Sequence, residues 1–249
     1  TDLLYQGPIT GLYSDCVKVS AKLTDTTTGY AISGKTINFA IGAATASATT
    51  GANGVATADM TLDPSNAPGP YSVITSFGPD AIYENSNTSP SFTIKPAKVG
   101  PLEGHSVYTG NLIFWTTGPS SNTATLSLSA TIQDVDEVCA SDIQNAKVTF
   151  AIRNGTMLTP INGASNLPVG LVDPNDKKVG TANAIVQYNL GNANSTTLDI
   201  AVIVSGGYLL NNPNDDAIVM VAKPLTGGWI VGSGKTLNGA DSSGYIAGA

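Results

Sequence analysis

Val19-Ser20-Ala21-Lys22-Leu23-Thr24-Asp25 and Leu128-Ser129-Ala130-Thr131-Ile132-Gln133-Asp134 share one pattern, an apolar residue at every second position closed by an aspartate. Successive side chains of a strand point to opposite faces, so such a run turns Val19, Ala21 and Leu23 to a core and leaves Ser20 and Lys22 to water. The surrounding segments recur in the same order. Tyr5-Gln6-Gly7 returns as Tyr108-Thr109-Gly110, and Lys35-Thr36-Ile37-Asn38-Phe39-Ala40-Ile41 returns as Lys147-Val148-Thr149-Phe150-Ala151-Ile152 once Phe39 is set on Phe150. Gly54-Val55-Ala56-Thr57-Ala58 returns as Gly180-Thr181-Ala182-Asn183-Ala184, and Tyr71-Ser72-Val73-Ile74-Thr75 as Leu198-Asp199-Ile200-Ala201-Val202. Collinear matches of this kind mark an internal repeat, each copy being one structural unit. The spacing widens between Arg153 and Gly180, which assigns a longer loop to the second copy.

Working outward, each copy reads as strands separated by turns. In the first, Cys16 to Leu23 alternates, Asp25-Thr26-Thr27-Thr28-Gly29 turns, Thr36 to Ile41 alternates, and Gly51-Ala52-Asn53-Gly54 turns into Val55 to Leu62. Asp63-Pro64 through Pro70 is a loop, and Tyr71 to Phe77 and Ser91 to Ile94 close the copy. About seven short strands at this spacing predict an immunoglobulin-like sandwich. Composition agrees, since 27 Gly and 14 Pro interrupt helices while Thr and Val suit a pleated surface. The predicted fold class is all-β, two tandem immunoglobulin-like Greek-key β-sandwiches. Their expected bounds are 1–96 and 102–223, with a linker at 97–101 and a Gly-rich extension at 224–249.

Charged residues make up only 12% of the 249, so the solvent face must be built from Thr, Ser, Asn and Gly. Lys+Arg of 11 against Asp+Glu of 18 gives −7, which leaves no basic footprint for phosphates and excludes nucleic acid as a partner class. No apolar run is long enough for a transmembrane segment. His105, the single histidine, sits beside Ser106 next to the linker, a poor place to preorganise a Ser-His-Asp triad. One histidine and two distant cysteines supply no zinc ligand pair, and Gly51 to Gly54 reads as a hairpin turn and not as a phosphate loop. Nothing selects a carboxylate pair for glycoside hydrolysis. The expectation is a protein that is no enzyme. The opening Thr1-Asp2-Leu3 lacks both Met and a leader pattern, as expected of a processed or excised chain, and residues are expected beyond Ala249.

Ser20-Ala21, Leu23-Thr24-Asp25, Thr28-Gly29, Gly34-Lys35, Phe39, Gly54-Val55-Ala56-Thr57 and Gly69-Pro70-Tyr71 together resemble the Ig-like repeats of prokaryotic surface proteins. The resemblance covers roughly residues 1–95, and the second copy follows it more loosely. Gly227-Gly228-Trp229-Ile230 is similar to the start of a further module in large secreted proteins. The resemblance implies a β-sandwich, a spacer or adhesive role, an extracellular place on the cell surface or in the secreted fraction, and no enzyme activity. Partners expected on this basis are other modules or copies of the same protein, and surface glycans or proteins.

Strand order places two sets of loops at opposite poles of each sandwich, and end-to-end joining sets the first copy's C-terminal pole against the second copy's N-terminal pole. Cys16 and Cys139 both fall at that junction, so an interdomain disulfide is expected there, with free thiols or an intermolecular bridge as alternatives. The same poles collect Asp134, Asp136, Glu137 and Asp142 from one loop of the second copy and Asp215 and Asp216 from another. Asp15, Asp63 and Glu103 approach from the first copy and linker. Oxygen ligands on several loop tips suit Ca2+, and Asp134, Asp136, Glu137 and Asp215 are the candidate ligands, although no fixed calcium motif is present. Sequons at Asn87, Asn154 and Asn194 are candidate glycosylation sites. Tyr83, Tyr208 and Trp115 could form a sugar platform, while the run Leu112-Ile113-Phe114-Trp115 reads more simply as core or interface. Lys18, Lys22, Lys35 and Lys147 raise an intramolecular Lys–Asn isopeptide, against the simpler reading of solvated strand edges. The functional expectation is a non-catalytic structural or adhesive module. The alternative is a subunit of an extracellular filament or surface layer assembled by β-strand addition through a detached Trp229-Ile230-Val231 strand, and the third is a carbohydrate-binding module.

Overall fold

The structure is a computed structural model that describes residues 1–135 and 142–225, together with the backbone of 230–235 and 241–246. The first copy holds β1 (Asp2–Tyr5), β2 (Thr10–Leu12), β3 (Cys16–Thr24), β4 (Thr36–Ile41), β5 (Ala44–Thr49), β6 (Val55–Thr61), β7 (Gly69–Phe77), β8 (Ser86–Thr88) and β9 (Ser91–Lys95). They form two facing sheets, β1-β3-β6 and β2-β9-β7-β4-β5, with β8 pairing β7. The second copy holds β10 (Ala97–Gly100), β11 (Ile113–Trp115), β12 (Thr123–Asp134), β13 (Lys147–Asn154), β14 (Met157–Pro160), β15 (Leu167–Pro168), β16 (Gly170–Asp173), β17 (Asp176–Asn189), β18 (Ser195–Ser205), β19 (Tyr208–Leu209) and β20 (Ala217–Ala222). Its sheets are β16-β17-β12-β10-β19 and β11-β20-β18-β13-β14. Each sandwich thus splits its first strand. The front part pairs antiparallel with β3 or β12, and the back part crosses to the other sheet and runs parallel to β9 or β20.

The duplication extends to register. Ala21 pairs with Ala56 and Ala130 with Ala182, Ser20 with Thr57 and Ser129 with Asn183, Phe39 with Thr75 and Phe150 with Val202. A one-residue slip would turn every core side chain to water, so the shared alternation holds both copies in one register. Val19, Ala21, Leu23, Ile37, Phe39, Ile41 and Phe92 fill the first core, and Leu126, Leu128, Ala130, Ile132, Val148 and Phe150 the second. Full burial of each large side chain contributes about 1.5–3 kcal/mol.

A local device is duplicated as well. The Tyr5 hydroxyl donates to Pro8 O at 2.8 Å and the Tyr108 hydroxyl to Asn111 O at 2.9 Å, each closing the crossover between sheets. Within it, Gln6 N–H donates to Ser20 O and Thr109 N–H to Ser129 O. A Cβ at Gly7 would lie 2.5 Å from the Tyr5 hydroxyl, and one at Gly110 would lie 2.6 Å from the Tyr108 hydroxyl. Only glycine fits beneath either phenol, which explains the Tyr-x-Gly signature in both copies.

Three expectations are revised. Residues 97–100, read as linker, form β10, which pairs antiparallel with β12 and parallel with β19. Ala97 and Val99 are buried, and their backbone groups need partners that a free linker would not supply. The segment from Arg153 to Gly180, read as a loop, contains β14, β15 and β16, and β17 runs 14 residues where β6 runs 7. The stretch expected as a detached strand enters a hairpin, β21 (Ile230–Lys235) pairing antiparallel with β22 (Asp241–Ile246). Trp229 lies outside the described residues. The helical elements among the described residues are two 3-10 turns, Ile143–Asn145 and Pro213–Asp215, and no described helix is long and apolar enough to cross a membrane.

Candidate functional site at the junction of the two sandwiches

Pro96 alone separates β9 of the first sandwich from β10 of the second. The loops that meet there are those the strand order assigns to this pole. Tyr13, between β2 and β3, donates its N–H to Lys95 O at 2.8 Å and its hydroxyl to Pro64 O at 2.8 Å. Its ring meets Tyr208 of β19 edge to face, with centroids 5.4 Å apart and planes at 79°. Both rings are buried, Tyr13 at 5% and Tyr208 at 3% exposure. The Tyr208 hydroxyl donates to Asp142 O at 3.1 Å, so the stack is anchored at both ends. Edge-to-face pairs contribute about 0.5–1.5 kcal/mol beyond the area they bury.

Gly207 makes the stack possible. It sits at φ +95°, where L side chains are rarely found, and a Cβ there would lie 2.4 Å from the Tyr13 ring. Its carbonyl accepts from Ala97 N–H at 3.0 Å, while Val135 N–H donates to Lys98 O at 3.3 Å. The connecting strand is therefore bonded on both sides by the second sandwich. Burial, and secondarily the charge of Asp63, raises the Tyr13 phenol above its usual value. Nothing in the sequence marks Tyr13 and Gly207, because an aromatic and a glycine far apart in the chain carry no sign of their contact.

Among the expected residues, Cys16 opens β3 at this pole, its N–H donating to Asp15 Oδ1 at 2.7 Å, and no free thiol occurs among the described residues. Cys139, Asp136 and Glu137 lie outside the described residues. Asp134 is buried at the end of β12, opposite Val99, and Asp215 closes the Pro213–Asp215 turn. No group of three metal-ligating side chains occurs among the described residues. Several expected carboxylates are engaged elsewhere. Asp216 pairs with Arg153 of β13, the two side chains being 5% and 10% exposed, and Asn211 also accepts from that guanidinium at 3.0 Å. Asp142 meets Lys177 at 3.4 Å, and hydrogen bonds from Ser65 lower the Asp63 carboxyl below its usual range.

The three sequon asparagines are exposed, Asn87 on β8, Asn154 at the β13–β14 hairpin and Asn194 just before β18. The supposed aromatic platform is dispersed. Tyr208 is buried in the junction, Tyr83 lies under Lys35 with its ammonium 5.1 Å from the ring centroid, and Trp115 is on β11. Lys35 pairs with Asp80 at 2.5 Å and Lys18 with Asp59 at 3.3 Å, both partners being carboxylates. His105 is exposed in a turn.

No family model matches the chain, and no curated protein matches it. Among solved structures, the D1–D4 ectodomain fragment of ICAM-5 is similar at 11% identity over 94% of this chain, with a TM-score of 0.38. The C-terminal 282-residue fragment of intimin, solved with the intimin-binding domain of the translocated intimin receptor, is similar at 13% identity over 94% of this chain, with a TM-score of 0.30. The D0–D1 domain of intimin is similar at 13% identity over 89% of this chain and 95% of its own length, with a TM-score of 0.27. The chain spans 56% and 66% of the first two. The strand pairing described above, and not these scores, defines the fold as a tandem pair of immunoglobulin-like β-sandwiches.

Proposed function

We propose that the chain is a non-catalytic structural or adhesive module of an extracellular prokaryotic surface protein. In this reading the junction turns two sandwiches into one stiff spacer that holds its outer loops at a fixed distance and angle. The observation that carries it is the Tyr13–Gly207–Tyr208 contact beside a connection of one residue. A junction serving as a hinge would leave its linker unbonded, whereas here β10 is paired on both sides. The exposed sequons and the low surface charge support an extracellular place. A bridge from Cys16 to Cys139 would add a covalent staple at the same pole, constraining the unfolded chain by about 3–5 kcal/mol.

The test is small-angle scattering of the whole chain and of Gly207→Ala, with Tyr13→Ala as a second variant. Both substitutions should broaden the distribution of interatomic distances while each sandwich keeps its own unfolding transition. Profiles that superpose on the wild type would remove the clamp from the account.

A further inference from the structure

We propose that a cavity on the second sandwich, lined by Arg153, Asn154, Tyr188, Thr197, Asp199 and Ile218 among others, is a binding site for a neutral saccharide. The proposal goes beyond the spacer reading and uses neither the junction residues nor the dispersed aromatic platform.

Strand register builds the site. Ile152 pairs with Ile200 and Asp199 with Ile218, so Arg153, Asp199 and Ile218 fall in one row across β13, β18 and β20. Leu198 and Ile200 are buried in the core, and alternation turns Thr197 and Asp199 to the opposite, outer face. The cavity has a volume of about 440 Å³, inside the range of about 300–1,000 Å³ that small-molecule sites occupy.

The first sandwich lacks these groups. There β4 ends at Ile41, the equivalent of Ile152, and turns at once through Gly42-Ala43 into β5, whereas β13 runs on through Arg153 and Asn154. Ser72 stands on β7 where the second copy has Asp199 on β18. The longer β13 and the exchange of a serine for a carboxylate thus set a guanidinium beside an aspartate on one copy alone.

The polar groups are held ready for a ligand. Arg153 Nε donates to Asp216, and Nη2 donates to Asp216 Oδ1 at 3.3 Å and to Asn211 Oδ1 at 3.0 Å. Nη1 donates to no partner among the described residues, yet it is not a buried orphan, so it keeps access to solvent although the side chain is only 10% exposed. The guanidinium is therefore clamped along one edge and open along the other. Asp199 is exposed, and among the described residues its carboxylate accepts no hydrogen bond and forms no ion pair. Bonding to Asp216 first, and the charges of Asp216 and Asp199 after it, raise the Arg153 guanidinium above its usual value, which sets Asp199 within electrostatic reach of it. A fixed donor beside an unclaimed acceptor loses little freedom on binding.

Charge selects the ligand class. Arg153 and Asp216 neutralise each other, and Asp199 leaves a single negative charge. A phosphate or sulfate would meet two carboxylates. Ca2+, which takes six to eight oxygen ligands, would find one unclaimed carboxylate beside a guanidinium. Sugar hydroxyls both accept and donate, so two neighbouring hydroxyls satisfy Arg153 Nη1 and Asp199 at once. Ile218, 71% exposed, and the half-buried Tyr188 offer apolar surface to the carbon face of the ring.

Titration of the full chain with maltotriose, cellotriose, mannotriose and triacetylchitotriose, read by amide chemical shifts and calorimetry, tests the proposal. The chain is made in a host without N-glycosylation, which keeps the sequon residue Asn154 at the cavity bare. At least one sugar should bind saturably and shift the amides of Thr197 and Asp199. Asp199→Ala should weaken that binding about tenfold or more, the effect of one hydrogen bond to a charged group. Thr197→Val should act in the same direction, while Ser72→Ala at the twin position should change nothing. Both Asp199 and Thr197 are exposed, so an unchanged melting temperature shows that each variant folds. Failure of all four sugars to bind, or binding indifferent to both changes in the second sandwich, overturns the proposal. So do shifts at Asp199 produced by inorganic phosphate, Ca2+ or glycine and by none of the sugars.

Discussion

Thr75 and Val202 occupy one position in the two sandwiches, on β7 opposite Phe39 and on β18 opposite Phe150. Both are buried, and the two side chains have nearly the same shape. Val202 completes an apolar layer. Thr75 brings a hydroxyl whose Oγ1 is buried without a hydrogen-bond partner, and a buried unmatched hydroxyl costs about 1–3 kcal/mol. The alternation that specifies strand, face and register is the same in both copies, so the fold tolerates the hydroxyl and only the stability registers it. Differences between the copies therefore sit at single positions and at edges, beneath a shared pattern.

The largest effect that breaks the comparison is removal of its common anchor. Phe39→Ala and Phe150→Ala should each destabilise their own sandwich by about 3–5 kcal/mol, as expected for deleting a fully buried ring. Calorimetry of the two variants checks this, since each should lower a transition belonging to its own copy. Equal effects on one shared transition would instead mean that the junction couples the sandwiches into a single cooperative unit. The next effect sharpens the comparison by exchanging its two sides. Thr75→Val should stabilise the first sandwich by about 1 kcal/mol or more, and Val202→Thr should destabilise the second by about 1–3 kcal/mol. Urea midpoints measure both, and a pair of exchanges with no effect would mean that the Thr75 hydroxyl is satisfied in solution.

The readable part of the fold is the part carried by large alternating side chains. Val19, Leu23, Phe39, Leu128 and Phe150 mark their strands because each needs a core, and their spacing sets the register. β5 carries no legible strand signal because Ala44 to Thr49 alternates only Ala with Ser and Thr, a contrast too small to register as apolar against polar. It is held instead by pairing with β4 and by Asn66, which bridges Ile41 O and Ala43 N–H in the intervening turn. Pro96 and Pro101 made the four residues between them look like a linker, yet Pro fits the ends of a strand as well as it fits a loop. The carboxylates were legible as loop residues but not as individuals. Arg153 claims Asp216 across the sheet, and no spacing in the chain announces that contact. Tyr13 and Tyr208 belong to different sandwiches and lie far apart in the chain, so their pairing belongs to tertiary structure alone.

The smallest expected effect concerns the paired phenols beneath the sheet crossovers, and it follows from their protonation. Burial pushes both Tyr5 and Tyr108 up to about 12 from an ordinary value near 10. A raised value means that the native state keeps the proton that the unfolded chain releases. Stability from this source is therefore complete below pH 10 and is lost as pH rises through about 12. Tyr5→Phe and Tyr108→Phe should each cost about 1 kcal/mol at neutral pH through the lost bonds to Pro8 O and Asn111 O. Each should also flatten the fall in stability on the alkaline side. Tyr108 is the more deeply buried of the two, so its replacement should remove the larger part of that slope. Urea midpoints measured from neutral to alkaline pH for both variants compare the copies at their most closely matched site. An alkaline slope unchanged in the double variant would assign it to other groups, Tyr13 at the junction first among them, since its phenol is raised as well.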